Sequence, residues 1–135
     1  MRTATLLTIT TLIAFTLCQA GTQQNSLNDP VIETLVAGDG KSFPSTGQSV
    51  VAHYRGTLLS GKEFDSSYSR NDPFSFQLGV GQVIKCWDYT IAKLSVGQKV
   101  KVTCPSEWAY GARGAGGLIP PNADLIFEIE LLSYK

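Results

Sequence analysis

The sequence predicts an α+β domain in which an antiparallel sheet of about five strands is wrapped around one short α-helix. Apolar and polar residues alternate in segments such as 98–104 (QKVKVTC) and 124–132 (DLIFEIELL). This period of two is typical of strands with one buried face. After residue 20, helical spacing of apolar residues is clear in one segment, 86–94. Turns rich in Gly, Pro, Asn and Asp separate the segments, as expected for antiparallel strands.

The strand pattern recurs along the chain and indicates which side chains share a face. Strand character is found in segments 31–37, 49–59, 62–67, 74–78, 98–104 and 124–132. In three of these segments the period of two places a set of side chains on one face of the strand. These are Val50, Ala52 and Tyr54 in 49–59; Val100, Val102 and Cys104 in 98–104; and Leu125, Phe127, Ile129 and Leu131 in 124–132.

The helix is predicted at 86–94 (CWDYTIAKL). Trp87, Ile91 and Leu94 follow the i, i+4, i+7 spacing that places them on one face. Asp88 lies in the first turn, where a carboxylate suits the helix dipole. Gly97 follows as a turn residue, and 110–121 is a long loop with four glycines and two prolines.

The first twenty residues have the pattern of a secretory signal peptide. A basic start at Arg2 precedes the uncharged run 4–17, and small residues at Cys18 and Ala20 favour cleavage before Gly21. An uncleaved anchor is the alternative. The expected organisation is therefore a signal peptide at 1–20, a flexible polar leader at 21–30 and one folded domain at 31–135. This places the protein in the secretory pathway, in the endoplasmic reticulum lumen or outside the cell.

Several function classes are excluded by composition. The chain has 11 Lys and Arg against 11 Asp and Glu, with no basic cluster, which argues against nucleic acid as a partner. His53 is the only histidine, and no CxxC is present, so a zinc site is not expected. A Ser-His-Asp triad would need His53, which the strand pattern directs to solvent. The glycine-rich stretch 111–117 lacks the Lys-Ser/Thr of a phosphate-binding loop.

Two cysteines remain after residue 20. Cys86 and Cys104 form an even pair, and in an oxidising compartment such a pair is a candidate disulfide. Buried free thiols that fill the core are the alternative. A thiol-redox function for Cys86 is disfavoured, because no second cysteine lies within two residues of it.

Aromatic residues beside glycines and prolines point to a different kind of site. They are too many to be ordinary core, and together with a Gly/Pro-rich loop they predict a concave apolar pocket. The residues are Tyr54, Phe64, Phe74, Phe76, Trp87, Trp108, Tyr110 and Phe127.

Four motifs in order, FDSS (64–67), VIKCW (83–87), AYG (109–111) and IPPNADLIFEIELL (119–132), closely resemble the FKBP-type peptidyl-prolyl isomerases, immunophilins that bind tacrolimus and rapamycin. The resemblance extends from about residue 31 to the C-terminus. It implies a five-stranded twisted antiparallel sheet curled around one short helix. It also implies cis-trans isomerisation of X-Pro bonds in proline-containing polypeptides (EC 5.2.1.8), without a cofactor or metal. A monomer is the default expectation, and macrolide immunosuppressants are the expected ligands.

The resemblance also implies a site. Its tryptophan, Trp87, would form the pocket floor, and the Ile84 N–H and the Tyr110 hydroxyl would donate to ligand carbonyls. Arg70 would pair with Asp65, whose role is either to order the pocket or to act directly on the twisting amide. The catalytic set would be Asp65, Tyr110, Phe64 and Trp87. The full substrate-binding set would be Tyr54, Phe64, Asp65, Phe74, Val83, Ile84, Trp87, Tyr110, Ile119 and Phe127.

This chain departs from the family at three points. Cys86 replaces the common glycine before the tryptophan, and Cys104 replaces a usually apolar residue. Ala115 and Gly116 stand where cytosolic single-domain members often carry His-Pro, which leaves the partner contacts of this loop open. A binding module that holds a ligand without turnover is the alternative function, and the retained aromatic set favours the enzyme.

Overall fold

The computed structural model describes residues 28–135, so the predicted signal peptide and most of the leader lie outside the described residues. The strands are β1 (Val31–Val36), β2 (Ser49–Leu58), β3 (Glu63–Ser66), β4 (Phe74–Gln77), β5 (Lys99–Cys104) and β6 (Leu125–Tyr134). The helices are α1 (Ser67–Arg70) and α2 (Lys85–Ile91), and two short 3-10 turns follow at Ser106–Trp108 and Gly111–Arg113. Within 28–135, no helix is long and apolar enough to cross a lipid bilayer.

The strands form one antiparallel sheet in the order β1-β5-β6-β2-β3, and β4 also pairs with β2. β4 lies along the first half of β2 and β3 along the second half. Because these two short strands share one edge, the described sheet is five strands wide although it contains six strand segments. The predicted α+β class, with a five-stranded antiparallel sheet and a short helix, is confirmed.

The core lies between the sheet and α2. Trp87, Ile91 and Leu94 are buried, as their spacing predicts. The side chains predicted to face inward from β5 and β6 are also buried, because alternate residues of a strand point to the same face. The fully buried strand residues opposite the helix include Val50, Ala52, Val100, Val102, Leu125, Ile129 and Leu131.

Two local predictions need correction. α2 ends at Ile91 rather than residue 94, because the N–H groups of Lys93 and Leu94 bond three residues back, to the carbonyls of Thr90 and Ile91, in a tighter turn. His53 does not simply face solvent. Its half-buried ring stacks on the ring of Tyr68, with centroids 4.6 Å apart.

A disulfide joins Cys86 on α2 to Cys104 at the end of β5. The two Cα atoms are 5.9 Å apart, within the range that a disulfide spans. Both side chains are fully buried. The bond therefore attaches the helix that carries Trp87 directly to the neighbouring strand.

Candidate active site

An aromatic cavity of about 200 Å³ opens beside the first turn of α2. Its lining comes from β2, β3, β4, α2, β6 and the loops before and after them, so that distant parts of the sequence meet there. The lining residues are Tyr54, Phe64, Asp65, Phe74, Gln82, Val83, Ile84, Trp87, Tyr110 and Phe127.

Trp87 forms the floor of this cavity. Its ring is 4.8 Å from the ring of Tyr54 and 5.3 Å from that of Phe127, both edge-to-face. Phe74 approaches it at 5.9 Å in the same manner. Edge-to-face contacts of this kind hold aromatic rings in fixed orientations. The floor is thus a rigid apolar surface, 5% exposed at Trp87 itself.

Phe64 and Phe127 build one wall, and Gly56 makes room for it. The two rings meet at 5.7 Å and 85°. A Cβ at residue 56 would lie 2.6 Å from Phe64 Cζ and 2.8 Å from Phe127 Cε1. Only a residue without a side chain fits beneath this pair. A glycine inside a strand, where a close approach is common, is the sequence signal that could have revealed this role.

The polar side of the cavity is a closed hydrogen-bond network around Asp65. The Tyr54 hydroxyl donates to Asp65 Oδ2 at 2.5 Å, and Arg70 Nη1 donates to Asp65 Oδ1 at 2.5 Å. The Ser66 N–H donates to Oδ1 as well, at 2.9 Å. Arg70 Nη2 donates to the Tyr54 oxygen at 3.1 Å. Arg70 therefore holds both Asp65 and Tyr54, as the resemblance implies.

These contacts set the ionisation of the site. Partial burial acts to raise the pKa of Asp65, but the hydrogen bonds from Tyr54 and Arg70 outweigh it and leave the pKa below its ordinary value of 3.8. Burial raises the pKa of Tyr110 above its ordinary 10.0, and the negative charge of Asp65 adds to this. At neutral pH the cavity therefore presents an ionised carboxylate and a protonated phenol.

The rim beside Ile84 is held by Asp88. Its carboxylate accepts hydrogen bonds from the N–H groups of Gly79 and Gly81, at 2.8 and 3.2 Å. Asp88 thus ties α2 to the loop that leads into Val83 and Ile84, rather than serving the helix dipole alone. Within residues 28–135, neither the Ile84 N–H nor the Tyr110 hydroxyl has a hydrogen-bond partner. Two donors therefore remain available at the rim.

The structure brings most of the expected site residues together. Ile119 is the exception, because it packs into the core beside Ala115, with which it forms an isolated β-bridge, and does not line the cavity. Gln82 lines the cavity but was not expected to. Its side chain accepts the Gln77 N–H at 2.9 Å, a contact that no periodic pattern predicts. Trp108 lies outside the cavity and packs on Tyr89 at 5.1 Å.

The sequence profile of the family described as FKBP-type peptidyl-prolyl cis-trans isomerase matches residues 40–132. The chain belongs to this family. FK506-binding protein 1 of Eremothecium gossypii is 59% identical over 104 residues, 77% of this chain and 91% of that protein. Peptidyl-prolyl cis-trans isomerase FKBP1A of Xenopus laevis is 52% identical over 104 residues, 77% of this chain and 96% of that protein. This FKBP-type protein is therefore a peptidyl-prolyl cis-trans isomerase.

The predicted location in the secretory pathway is wrong. The relatives are of the cytosolic FK506-binding protein 1 type, at 52% to 59% identity. The signal peptide at 1–20 and the leader at 21–30 stay predictions, as does the start of the domain at residue 31. The oxidising compartment therefore no longer supports a disulfide between Cys86 and Cys104. The support that remains is the position of the two residues in the structure, with Cα atoms 5.9 Å apart.

Proposed function

We propose that this isomerase binds the prolyl ring of an X-Pro segment in the aromatic cavity and accelerates rotation about the preceding amide there. The observation that carries the proposal is the composition of the cavity. It combines a rigid aromatic floor and wall with one ordered carboxylate and two rim donors that have no partner among the described residues. Such a surface fits a small apolar ring with a carbonyl on either side.

The barrier to be lowered arises from amide resonance. Rotation about a peptide bond costs ~18–20 kcal/mol because the planar form has partial double-bond character. The cis and trans X-Pro forms differ by only ~0.5–1 kcal/mol, so the enzyme acts on the barrier and not on the equilibrium. Twisting removes resonance and makes the amide less polar. A cavity walled by aromatic rings therefore favours the twisted form over the planar one, relative to water.

Five of the lining residues then contact the substrate in this step. Trp87 and Phe127 support the prolyl ring, and the edge of Phe64 contacts the rotating carbonyl. The Tyr110 hydroxyl donates to a substrate carbonyl, and its raised pKa keeps it protonated. The Ile84 N–H donates to the carbonyl on the other side of the proline. None of these contacts changes a covalent bond, so the step needs no nucleophile.

Asp65 orders the cavity in this account. Both of its carboxylate oxygens already accept hydrogen bonds from Tyr54, Arg70 or Ser66. Those bonds fix the Tyr54 ring against Trp87. A direct action on the twisting amide would require the carboxylate to exchange these partners for the substrate, which its closed network opposes.

Macrolides that present a proline-like ring should occupy the same cavity. The names of the relatives from Eremothecium gossypii and Saccharomyces cerevisiae state that those proteins bind FK506, which is tacrolimus. We expect tacrolimus and rapamycin to compete with proline-containing polypeptides for this site, and the protein to act as a monomer.

Tyr110→Phe tests the proposal, with Tyr89→Phe as the matched control. Cis-to-trans exchange of an X-Pro peptide is followed in a protease-free assay. Loss of the Tyr110 donor should lower kcat/KM by about tenfold, because the hydrogen bond is realised in the transition state. Tyr89→Phe should change nothing, since Tyr89 packs outside the cavity on Trp108. Equal activity of both variants and the parent would contradict the donor role of Tyr110.

A further inference from the structure

The edge of β2 has a gap beside the cavity, where its pairing partner changes. β4 pairs with β2 as far as Ala52, and β3 pairs with it from Arg55 onward. Alternate residues of an antiparallel strand direct their N–H and C=O toward the same edge. The N–H and C=O of Ala52 are therefore directed toward β4, and those of Gly56 toward β3. The N–H and C=O of Tyr54, which lies between them, are directed toward the gap, where neither strand is paired.

Ser67 fills this gap with its side chain. Its hydroxyl oxygen accepts the Tyr54 N–H at 2.7 Å, and its O–H donates to the Tyr54 carbonyl at 3.2 Å. His53 Nδ1 lies 2.8 Å from the same oxygen. A serine hydroxyl offers one donor and two acceptor positions, so all three are used when His53 carries its proton on Nδ1. Ser67 is fully buried. Its side chain thus satisfies the backbone groups of Tyr54 that a neighbouring strand would otherwise pair.

The single turn of α1 thereby fixes both the backbone and the side-chain hydroxyl of Tyr54. Ser67 holds its backbone, and Arg70, three residues later on the same turn, donates to its hydroxyl at 3.1 Å and to Asp65 at 2.5 Å. Between these two points the Tyr54 ring lies against Trp87. A shift of the Tyr54 backbone would therefore move a cavity-lining ring and the hydroxyl that orders Asp65.

We propose that Ser67 is a positioning residue for the isomerase reaction. It does not line the cavity and acts through Tyr54, whose backbone it fixes at the point where the sheet provides no strand partner. This inference rests on the proposed role of the aromatic cavity. A small displacement of a lining group is costly, because catalysis depends on a geometry close to that of the transition state.

A role limited to stability would look different. Loss of a buried hydroxyl leaves the Tyr54 N–H and C=O without partners, so that Ser67→Ala destabilises the fold in either case. Ser95→Ala provides the matched control. Ser95 is also a buried serine, and its hydroxyl accepts the Gly40 N–H at 3.1 Å, away from the cavity lining.

The test is a double-mutant cycle between Ser67→Ala and Tyr54→Phe, read as kcat, KM and thermal midpoint. Ser67→Ala should lower kcat/KM by about tenfold, mainly in kcat. In the Tyr54→Phe background the hydroxyl that orders Asp65 is already gone and only the displacement of the ring remains, so the further loss should be smaller than in the parent. The thermal midpoint should fall by the same amount in both backgrounds. Ser95→Ala should lower the midpoint and leave kcat/KM unchanged.

Three results would overturn the proposal. The first is a Ser67→Ala protein with a lowered midpoint and parental kcat/KM. The second is an equal loss of kcat/KM in both backgrounds. The third is a Tyr54→Phe protein of full activity, which would contradict the ordering role of the Tyr54 hydroxyl; failure of the cavity mechanism itself would show instead in Tyr110→Phe and is thus distinguishable. Should Ser67→Ala not fold, Ser67→Cys keeps the volume with weaker hydrogen bonding, and parental activity in that variant contradicts the proposal.

Discussion

The Tyr54 hydroxyl donates a 2.5 Å hydrogen bond to Asp65 Oδ2, and through it a carboxylate becomes part of an otherwise aromatic cavity. Arg70 completes the arrangement by donating to both residues. Because the charge of Asp65 is paired and its oxygens are occupied, we propose that its effect on the reaction is transmitted through the ring of Tyr54.

Asp65→Asn should reduce kcat/KM by no more than about tenfold, since the amide oxygen can still accept from Tyr54 and the ring stays near its place. Asp72→Asn, on the exposed turn after α1, is the control and should have parental activity. The measurement is steady-state kinetics with an X-Pro peptide. A loss of more than about a hundredfold would instead support direct electrostatic action of the carboxylate on the twisting amide.

The pH dependence should be flat around neutrality and fall only in acid. The pKa of Asp65 is lowered from 3.8, so its contribution is complete above that value and is lost as pH falls through the still lower folded-state pKa. The pKa of Tyr110 is raised above 10.0, so no loss of its proton occurs near neutrality. We therefore expect constant kcat/KM from about pH 5 to pH 9. A bell-shaped profile centred within that range would contradict these assignments.

Gly56→Ala should damage the cavity wall. The new methyl group would lie within 3 Å of Phe64 and Phe127, so that one of the two rings must move. Overpacking of this kind costs about 1–3 kcal/mol of unfolding free energy, and the displaced ring should lower kcat/KM as well. Denaturant unfolding and kinetics measure the two effects. Gly117→Ala is the control, because no atom lies within 4 Å of a Cβ there. Parental behaviour of Gly56→Ala would refute the wall geometry.

Reduction of the disulfide should affect stability more than activity. Cys86 and Cys104 are 18 residues apart in sequence, and closing a loop of that order contributes about 3 kcal/mol to the unfolding free energy. Neither residue lines the cavity, so the reduced protein should keep its kcat/KM when folded. Urea unfolding with and without reductant tests this, and the Cys86→Ala/Cys104→Val protein should be insensitive to reductant. An identical urea midpoint in both conditions would mean that the bond does not form.

The fold could be predicted from local patterns because its strands alternate regularly and α2 carries its apolar residues at helical spacing. The helix α1 could not, since four residues are too few to show a period. Residues that act through tertiary placement also escaped prediction. Ser67 matters because β2 changes partner beside it, and Gly56 because Phe64 and Phe127 converge above it. Ile119 was included because of its place in the motif, and its role in binding stays a prediction.

The central claim is that catalysis occurs in the cavity floored by Trp87, and a single titration tests it most directly. The chain has two tryptophans, so a Trp108→Phe protein reports fluorescence from Trp87 alone. Rapamycin is added stepwise while fluorescence and isomerase rate are read in the same samples. We predict that the Trp87 signal and the activity change together, with one midpoint and complete loss of catalysis at saturation. Full catalysis after the Trp87 signal has saturated would show that the reaction takes place elsewhere.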